Sequence, residues 1–485
     1  MEKEQVDIVK LNSTYGRIIT EDIGVIESLY KKFAVPVDNY WFMPKYKAGI
    51  WDGKVHFVER NGKFYNGLLD KIVKYIDKES YNVDLDPEYN RIFDKELIKE
   101  DFLQVIDETI DCEFAPYFYQ LRGALKALYH QRAIVEHCTS SGKSYTMALI
   151  ISYLLSKFNE FKILVVVPKI DLVEQLTEEF INTYGIPEDL IGKYCGYEKN
   201  DECPITVSTW QSIYKKKEFL SNIDALIVDE CHGLRADQVR KVAEYSCKAE
   251  FRIGVTGTLP DSKSDKMLVE CVLGPIVDQV TPDELIKLKK ISDVEINIIK
   301  IDYSNEIVEQ IAALDYQAEK DYVEKDERRN QLIINASKKL VDMDKNVLIL
   351  VQKIEHGNTL VEELEKLDVN VSMVCGDIKV EERNRIRHET EESGGRVIVA
   401  TVGVYSTGIS IKRLHAIMFA SPGKAKIQTL QSIGRGLRLH NTKSKVLIFD
   451  FAENLKFSSK HLKQRIKYYK NNKFNYNEKK VILNG

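Results

Sequence analysis

Thr139-Ser140-Ser141-Gly142-Lys143-Ser144 lies directly after the apolar run Ala133–Val135 and opens a stretch of helical spacing. A phosphate chain needs inward-pointing backbone N–H groups, and a helix N-terminus supplies them with a favourable dipole. Thr139, Ser140 and Ser141 would form the cradle, and Gly142 lets the backbone approach closely. Lys143 would neutralise the β and γ phosphates, and the Ser144 hydroxyl would ligate Mg²⁺. The run departs from G-x-x-x-x-G-K-[ST] at its first position, where His137 stands. Asp229-Glu230-Cys231-His232 follows another apolar run, Ala225–Val228. Carboxylates that end a strand sit at the edge where α/β sheets bind ligands. Asp229 would hold the metal through water, and Glu230 would orient and deprotonate the attacking water. In Gln431-Ser432-Ile433-Gly434-Arg435-Gly436-Leu437-Arg438 the two outer arginines are three apart and share a face if helical. Planar guanidinium groups suit a transition state that spreads charge over phosphate oxygens. Alone, such a helix reads as a solvated basic face; beside the other two clusters it would complete the chemistry of phosphoryl transfer to water.

The elements that must position these groups alternate between β-branched runs and helical stretches. Ala133–Val135, Ile163–Val167, Ile205–Val207, Ala225–Val228 and Arg252–Thr256 read as buried strands, with Ser144–Lys157 and Asp171–Tyr184 as helices. Near-continuous apolar strands point to a parallel sheet covered on both faces. The alternation restarts at Val347–Val351 and continues through Val371–Val374, Val397–Thr401, Ala416–Phe419 and Val446–Phe451, so two α/β domains are expected. Asp302–Val341 reads as helical. The first hundred residues lack this rhythm. From Lys31 to Lys78 there are ten Lys/Arg against five Asp/Glu, whereas Glu79–Glu113 holds twelve acids against three bases. Change in both rhythm and charge predicts a small separate domain followed by an acidic linker. The expected boundaries are 1–90, a linker at 91–115, α/β domains at 116–290 and 291–455, and a basic tail at 456–485.

A chain of 485 residues, 44% hydrophobic and 30% charged, is of ordinary globular composition and too long for one core. No run approaches the roughly 20 apolar residues of a membrane span, and Met-Glu-Lys-Glu-Gln is not followed by the apolar run of a secretory signal. The net charge of −4 means that nucleic-acid binding would have to use local basic surfaces. Eight cysteines without a C-x-x-C pair read as buried thiols of a reducing compartment, not a zinc site.

In their order, the three clusters resemble those of superfamily 2 (DEAD/DECH-type) helicases, and further motifs fill the gaps between them. Gln120 stands where the family has an adenine-reading glutamine. Val167-Pro168-Lys169 and Thr209-Trp210-Gln211 look like strand-end motifs that contact the nucleic-acid backbone. Thr256-Gly257-Thr258 stands in place of the Ser/Thr-Ala-Thr coupling motif. Ala400-Thr401 with Ser406-Thr407-Gly408-Ile409-Ser410 resembles the fifth motif, which implies nucleic-acid contact at Thr401 and nucleotide contact at Gly408. Gln431 to Arg438 matches Q-x-x-G-R-x-x-R of the sixth. Met43 to Lys54, the Asp-Glu-Cys-His box, Gly403 to Ser410 and Lys473-Phe474-Asn475-Tyr476 resemble the phage UvsW-type helicases more closely. These resemblances imply two RecA-like parallel-sheet domains in tandem with a small N-terminal α+β domain. They imply ATP and Mg²⁺ as cofactors and branched or forked DNA as partner, with RNA–DNA hybrids and other phage replication or recombination proteins as further ones. The implied setting is the bacterial host cytoplasm, and the implied work is unwinding or branch migration. ATP bound between the two domains would draw them together. Lys45, Lys47, Lys54, Arg60 and Lys63 would contact phosphates, while Trp41, Tyr46 and Trp51 either stack on bases or form a small core. An RNA helicase and a nucleotide-gated clamp remain rival readings.

Overall fold

The computed structural model describes residues 5–78, 81–408, 411–421 and 433–483. The chain divides into two compact units, one of Met1–His137 with Gly142–Val280, the other of Cys138–Ser141 with Thr281–Gly485. Each contains a seven-stranded, all-parallel sheet. In the first the spatial order is Ile276–Val280, Arg132–His137, Phe251–Thr256, Ala225–Asp229, Ile163–Val167, Ile205–Thr209 and Ile191–Tyr194. Strands such as Ile-Leu-Val-Val-Val at 163–167 are buried at every position because apolar layers cover both faces. Helix Leu97–Thr109, within the acidic stretch, contributes Ile98, Phe102, Val105 and Ile106 to one of those layers.

The second sheet runs Asn370–Val374, Arg396–Thr401, Val347–Val351, Ala416–Phe419, Lys445–Glu453, Asp293–Tyr303 and Asn475–Leu483. The helical stretch at 302–341 is three helices, Asn305–Ala312, Tyr316–Lys325 and Glu327–Val341. The last segment of the chain is no appendage. Helix Lys456–Asn471 buries Leu462, Arg465, Tyr468 and Tyr469, and Asn475–Leu483 adds the edge strand. Its lysines face outward at that helix's other positions, which is why composition alone reads as a basic tail.

The N-terminal residues form a four-stranded mixed sheet ordered Lys63–Tyr65, Tyr15–Ile19, Gln5–Lys10 and Asn82–Leu85. Its core includes Cys271 of helix Lys263–Leu273, so it shares apolar burial with the first large sheet's layers. Polar bonds reinforce that union: Lys10 pairs with Glu250 at 2.9 Å, Lys71 pairs with Glu270, and the Tyr65 hydroxyl donates to Glu244 at 2.7 Å. Buried Arg252 donates to the Thr14 hydroxyl at 2.7 Å.

In the second unit, Arg465 meets Asp450 through two hydrogen bonds of 2.9 and 2.8 Å, and the Tyr469 hydroxyl donates to the same carboxylate at 2.8 Å. Both charged side chains are fully buried, so removing one partner strands the other's charge. Arg465→Ala is expected to destabilise this unit by about 3–5 kcal/mol, whereas exposed Lys463→Ala should stay within about 0.5 kcal/mol. Urea unfolding followed by circular dichroism checks both; equal midpoints would show that the pair does not anchor the helix.

Candidate nucleotide site and nucleic-acid edge

Strand order places three loops side by side at the carboxyl edge of the first sheet. Phe251–Thr256 pairs on one side with Arg132–His137, Thr256 opposite Glu136, and on the other with Ala225–Asp229, Asp229 opposite Val255. The phosphate-loop residues therefore emerge one strand away from Thr256-Gly257-Thr258 and two away from Asp229-Glu230. Helix Lys143–Lys157 starts at Gly142, whose φ of +79° is left-handed, as is that of Ser140 at +69°. A Cβ at Gly142 would run into the Gln120 amide, so two constraints demand glycine there. The fifteen residues of that helix give its N-terminus the positive end of a full dipole.

Gln120 is buried between the start of its own helix and the phosphate loop: its Oε1 accepts from Tyr117 N at 2.8 Å, and its Nε2 donates to Gly142 O at 3.4 Å. His137, in place of the usual first glycine, is accommodated by Gly123, where a Cβ would press on its ring. His137 Nε2 lies 3.0 Å from Asp278, which also binds Arg122 and Lys126 at 2.8 and 2.9 Å. Burial holds the His137 pKa below its ordinary value, favouring neutral imidazole.

Lys143 Nζ lies 3.7 Å from Glu230 Oε1. The Thr256 hydroxyl donates to Glu230 Oε2 at 3.2 Å, and His232 Nδ1 lies 3.3 Å from the same oxygen and 3.1 Å from Thr256. Burial pushes the Glu230 carboxyl upward, but Lys143, His232 and Thr256 outweigh it and hold the pKa at about 2. Asp229 shifts the other way, to about 7, through burial and then the adjacent Glu230 charge. Glu230 itself has φ +47°, a left-handed conformation uncommon for a side chain of this kind and typical of functional turns. Ser144 Oγ shares a 2.9 Å hydrogen bond with the Tyr184 hydroxyl, a neighbour that no local sequence signal announces.

Farther along the same edge, Thr209 is opposite Val167, and the Gln211 amide donates to Pro168 O at 3.4 Å. The two expected backbone-contact motifs are thus adjacent. Their side chains differ in availability: Gln211 is exposed and Pro168 half-buried, whereas Trp210 packs partly on the core. Thr209 is buried with its hydroxyl donating to Ser212 at 3.0 Å. Thr209 therefore shapes the turn instead of offering its side chain.

In the second unit, Thr401 ends strand Arg396–Thr401 and Gly408 ends helix Val402–Gly408. Gln431, Ser432, Ile409 and Ser410 lie outside the described residues. Arg435 and Arg438 do not share a helix face: helical residues run from 433 to 436, and Arg438 is on the segment beyond. The helix stops there because its end is tied elsewhere. Lys443, buried, donates to Gly436 O and Leu414 O at 2.7 and 2.8 Å, and Ser292 N donates to Leu437 O at 2.7 Å. Burial lowers the Lys443 pKa to about 7. Both arginines remain close enough to the fully buried Tyr405 hydroxyl to oppose the upward push that burial gives its pKa.

Of the N-terminal candidates, Lys45, Lys47 and Lys54 are exposed. Trp51 is half-buried and its indole N–H donates to Lys54 O at 2.7 Å, so it braces a turn. All eight cysteines are free, and among the described residues no helix is long and apolar enough to cross a membrane.

Three family models match: DNA helicase UvsW, N-terminal, over residues 9–86; type III restriction enzyme, res subunit, over 102–261; and helicase conserved C-terminal domain over 328–440. The probable helicase D10 of Escherichia phage T5 is 24% identical over 67% of this chain and 69% of its own. A solved fragment of a putative HsdR subunit of a type I restriction enzyme from Vibrio vulnificus shares the fold at TM-score 0.61 and 19% identity, covering 81% of this chain and 72% of its own. The crystal structure of T4 UvsW matches 99% of this chain and 100% of its own at TM-score 0.52 and 28% identity. The ATP-dependent DNA helicase uvsW of Enterobacteria phage T4 is 30% identical over 93% of this chain and 94% of its own. With that identity sustained from the N-terminal sheet through both parallel sheets, the chain belongs to the UvsW family of helicases.

Proposed function

We propose that this chain is an ATP-dependent DNA helicase or translocase that opens or migrates branched DNA in phage replication, recombination and repair, within the host cytoplasm. The observation that carries this reading is the clustering of Lys143, Glu230, His232 and Thr256 beside a fifteen-residue helix N-terminus. An anion-binding end, a cation and a carboxylate held ionised are what phosphoryl transfer to water requires.

Lys143 neutralises Glu230 when no phosphate competes for it. A bound triphosphate draws Lys143 onto its β and γ oxygens, and Glu230 loses its strongest cationic neighbour. Its carboxylate then becomes a better base toward water. His232 and Thr256 keep it oriented, and because Thr256 touches both Glu230 and His232, loss of the γ phosphate is felt in the loop after Phe251–Thr256. Ser144 and Asp229, a hydroxyl and a carboxylate, are hard oxygen donors that fit Mg²⁺, an ion that takes its other ligands from phosphates and water. Bound there, Mg²⁺ would neutralise charge between the β and γ phosphates. Arg435 and Arg438 are assigned to transition-state charge by their motif. Pro168, Gln211 and Thr401 are assigned to the DNA backbone, which positions without reading sequence.

Lys143→Ala and Glu230→Gln should each abolish ATP turnover, Glu230→Gln by at least roughly 10²-fold, while DNA binding measured by anisotropy is retained. Normal phosphate release in either variant would remove the assignment. Arg435→Ala should lower turnover by about 10³–10⁵ with nucleotide affinity much less affected; a pure affinity loss would reassign it to binding. Opening rates compared on a fork, a four-way junction, an R-loop, linear duplex DNA and duplex RNA should favour the branched DNAs, and faster opening of duplex RNA would reverse the substrate class.

A further inference from the structure

Residues 37–53 form a projecting knuckle of the N-terminal domain that is ordered without a core of its own. At its neck Ala34–Pro36 pairs with Lys54–His56, and Val37 N donates to Gly53 O at 2.9 Å. Within it, Tyr40–Phe42 and Pro44–Lys47 are short helical turns. The Tyr40 ring packs edge-on to Tyr46 at 4.7 Å and to Trp41 at 5.3 Å. Gly53, with φ +79°, lies so near Tyr40 that a Cβ would strike the ring. Below the neck, His56 stacks on Tyr30 at 3.9 Å, Arg60 covers the Tyr30 ring at 4.6 Å, and His56 meets Asp52 at 2.8 Å.

This scaffold holds its largest apolar groups outward. Trp41 is 51% exposed, Phe42 67% and Ile50 78%, and every residue from 41 to 50 is exposed. A single exposed apolar side chain is ordinary, but a preorganised cluster marks a surface that meets something. Lys45 and Lys47 stand among these groups, and no ion pair involves either among the described residues, whereas Lys31 and Arg60 nearby are both engaged by Glu27. Flat apolar rings interleaved with uncommitted lysines match an unpaired nucleobase flanked by phosphates better than they match an uncharged protein face. The knuckle also belongs to the same compact unit as the first large sheet. Its domain shares a core with helix Lys263–Leu273, which begins five residues beyond Thr258 of the coupling motif.

We propose that this knuckle is the strand-separating element: Trp41 and Phe42 stack on the first unpaired base at a DNA branch, exposed Ile50 adds apolar surface, and Lys45 and Lys47 hold the adjoining phosphates. This rests on the DNA-helicase reading. It assigns the stacking role away from Trp51, whose indole is tied to Lys54.

The test uses the full chain, because removing the N-terminal domain would uncover Cys271 and its surroundings. Base pairs opened per ATP hydrolysed on a fork should fall at least tenfold in the double variant W41A/F42A, and W41F should restore most of that ratio. A 2-aminopurine placed at the branch should be quenched by the parent chain and not by W41A/F42A. K45A/K47A should flatten the salt dependence of fork binding by about 1.8 in log–log slope, two phosphates' worth. An unchanged ratio in W41A/F42A would overturn the proposal. So would a change of sedimentation from dimer to monomer with fork opening intact, which would make the knuckle a self-association surface. A parent chain without DNA-stimulated ATP turnover would overturn the helicase reading itself.

Discussion

Strand Phe251–Thr256 sits between Arg132–His137 and Ala225–Asp229, and the proposed nucleotide site depends on that placement. Because the three run parallel and in register, their carboxyl ends finish at one level, and the loops that follow must share one edge. Thr256 can then reach Glu230 and His232, and Glu230 can reach Lys143. A one-residue slip of the central strand would turn Thr256 to the opposite face and break this chain of contacts. Buried Arg252, tied to the Thr14 hydroxyl, and Gly254, where a Cβ would strike Leu273 and Cys231, fix the register of that strand.

Around that edge, departures from the familiar phosphate loop are compensated by neighbours. His137 is bulky where glycine is usual, yet Gly123 yields the space and Asp278 supplies the hydrogen bond. Arg122 and Lys126 compensate the charge of the Asp278 carboxylate, so the neutral imidazole rests beside a paired anion. Gln120 closes the loop from the other side. Rigidity here matters because the proposed phosphate cradle is made of backbone groups, which cannot adjust as side chains do.

The N-terminal domain is coupled to the same body through apolar burial at Cys271 and through the pairs of Lys10 and Lys71 with Glu250 and Glu270. The charge balance of −4 hides a segregation along the chain: the lysines of the knuckle precede the separate acid-rich stretch of residues 79–113. Helix Leu97–Thr109 directs Ile98, Phe102, Val105 and Ile106 inward and leaves Glu100, Asp107 and Glu108 exposed.

The residues able to do chemistry were legible in the chain because their signals are local. A turn, a lysine and a hydroxyl at a helix start, or two carboxylates after four apolar residues, need only neighbouring positions to be recognised. Buried parallel strands such as Ile163–Val167 and Val347–Val351 announce themselves in the same way. Tertiary structure decided what each side chain is free to do. Asn475–Leu483 becomes a strand only because Asp293–Tyr303, far away in sequence, offers it an edge. Thr209 is enclosed, Trp51 is tied down, and Trp41 and Phe42 are exposed, although all four are of types that suit nucleic-acid contact. Arg438 leaves the helix of Arg435 because Lys443 and Ser292 hold the backbone between and beyond them. Composition and spacing specify which groups are present; their exposure and orientation depend on partners that spacing along the chain does not encode.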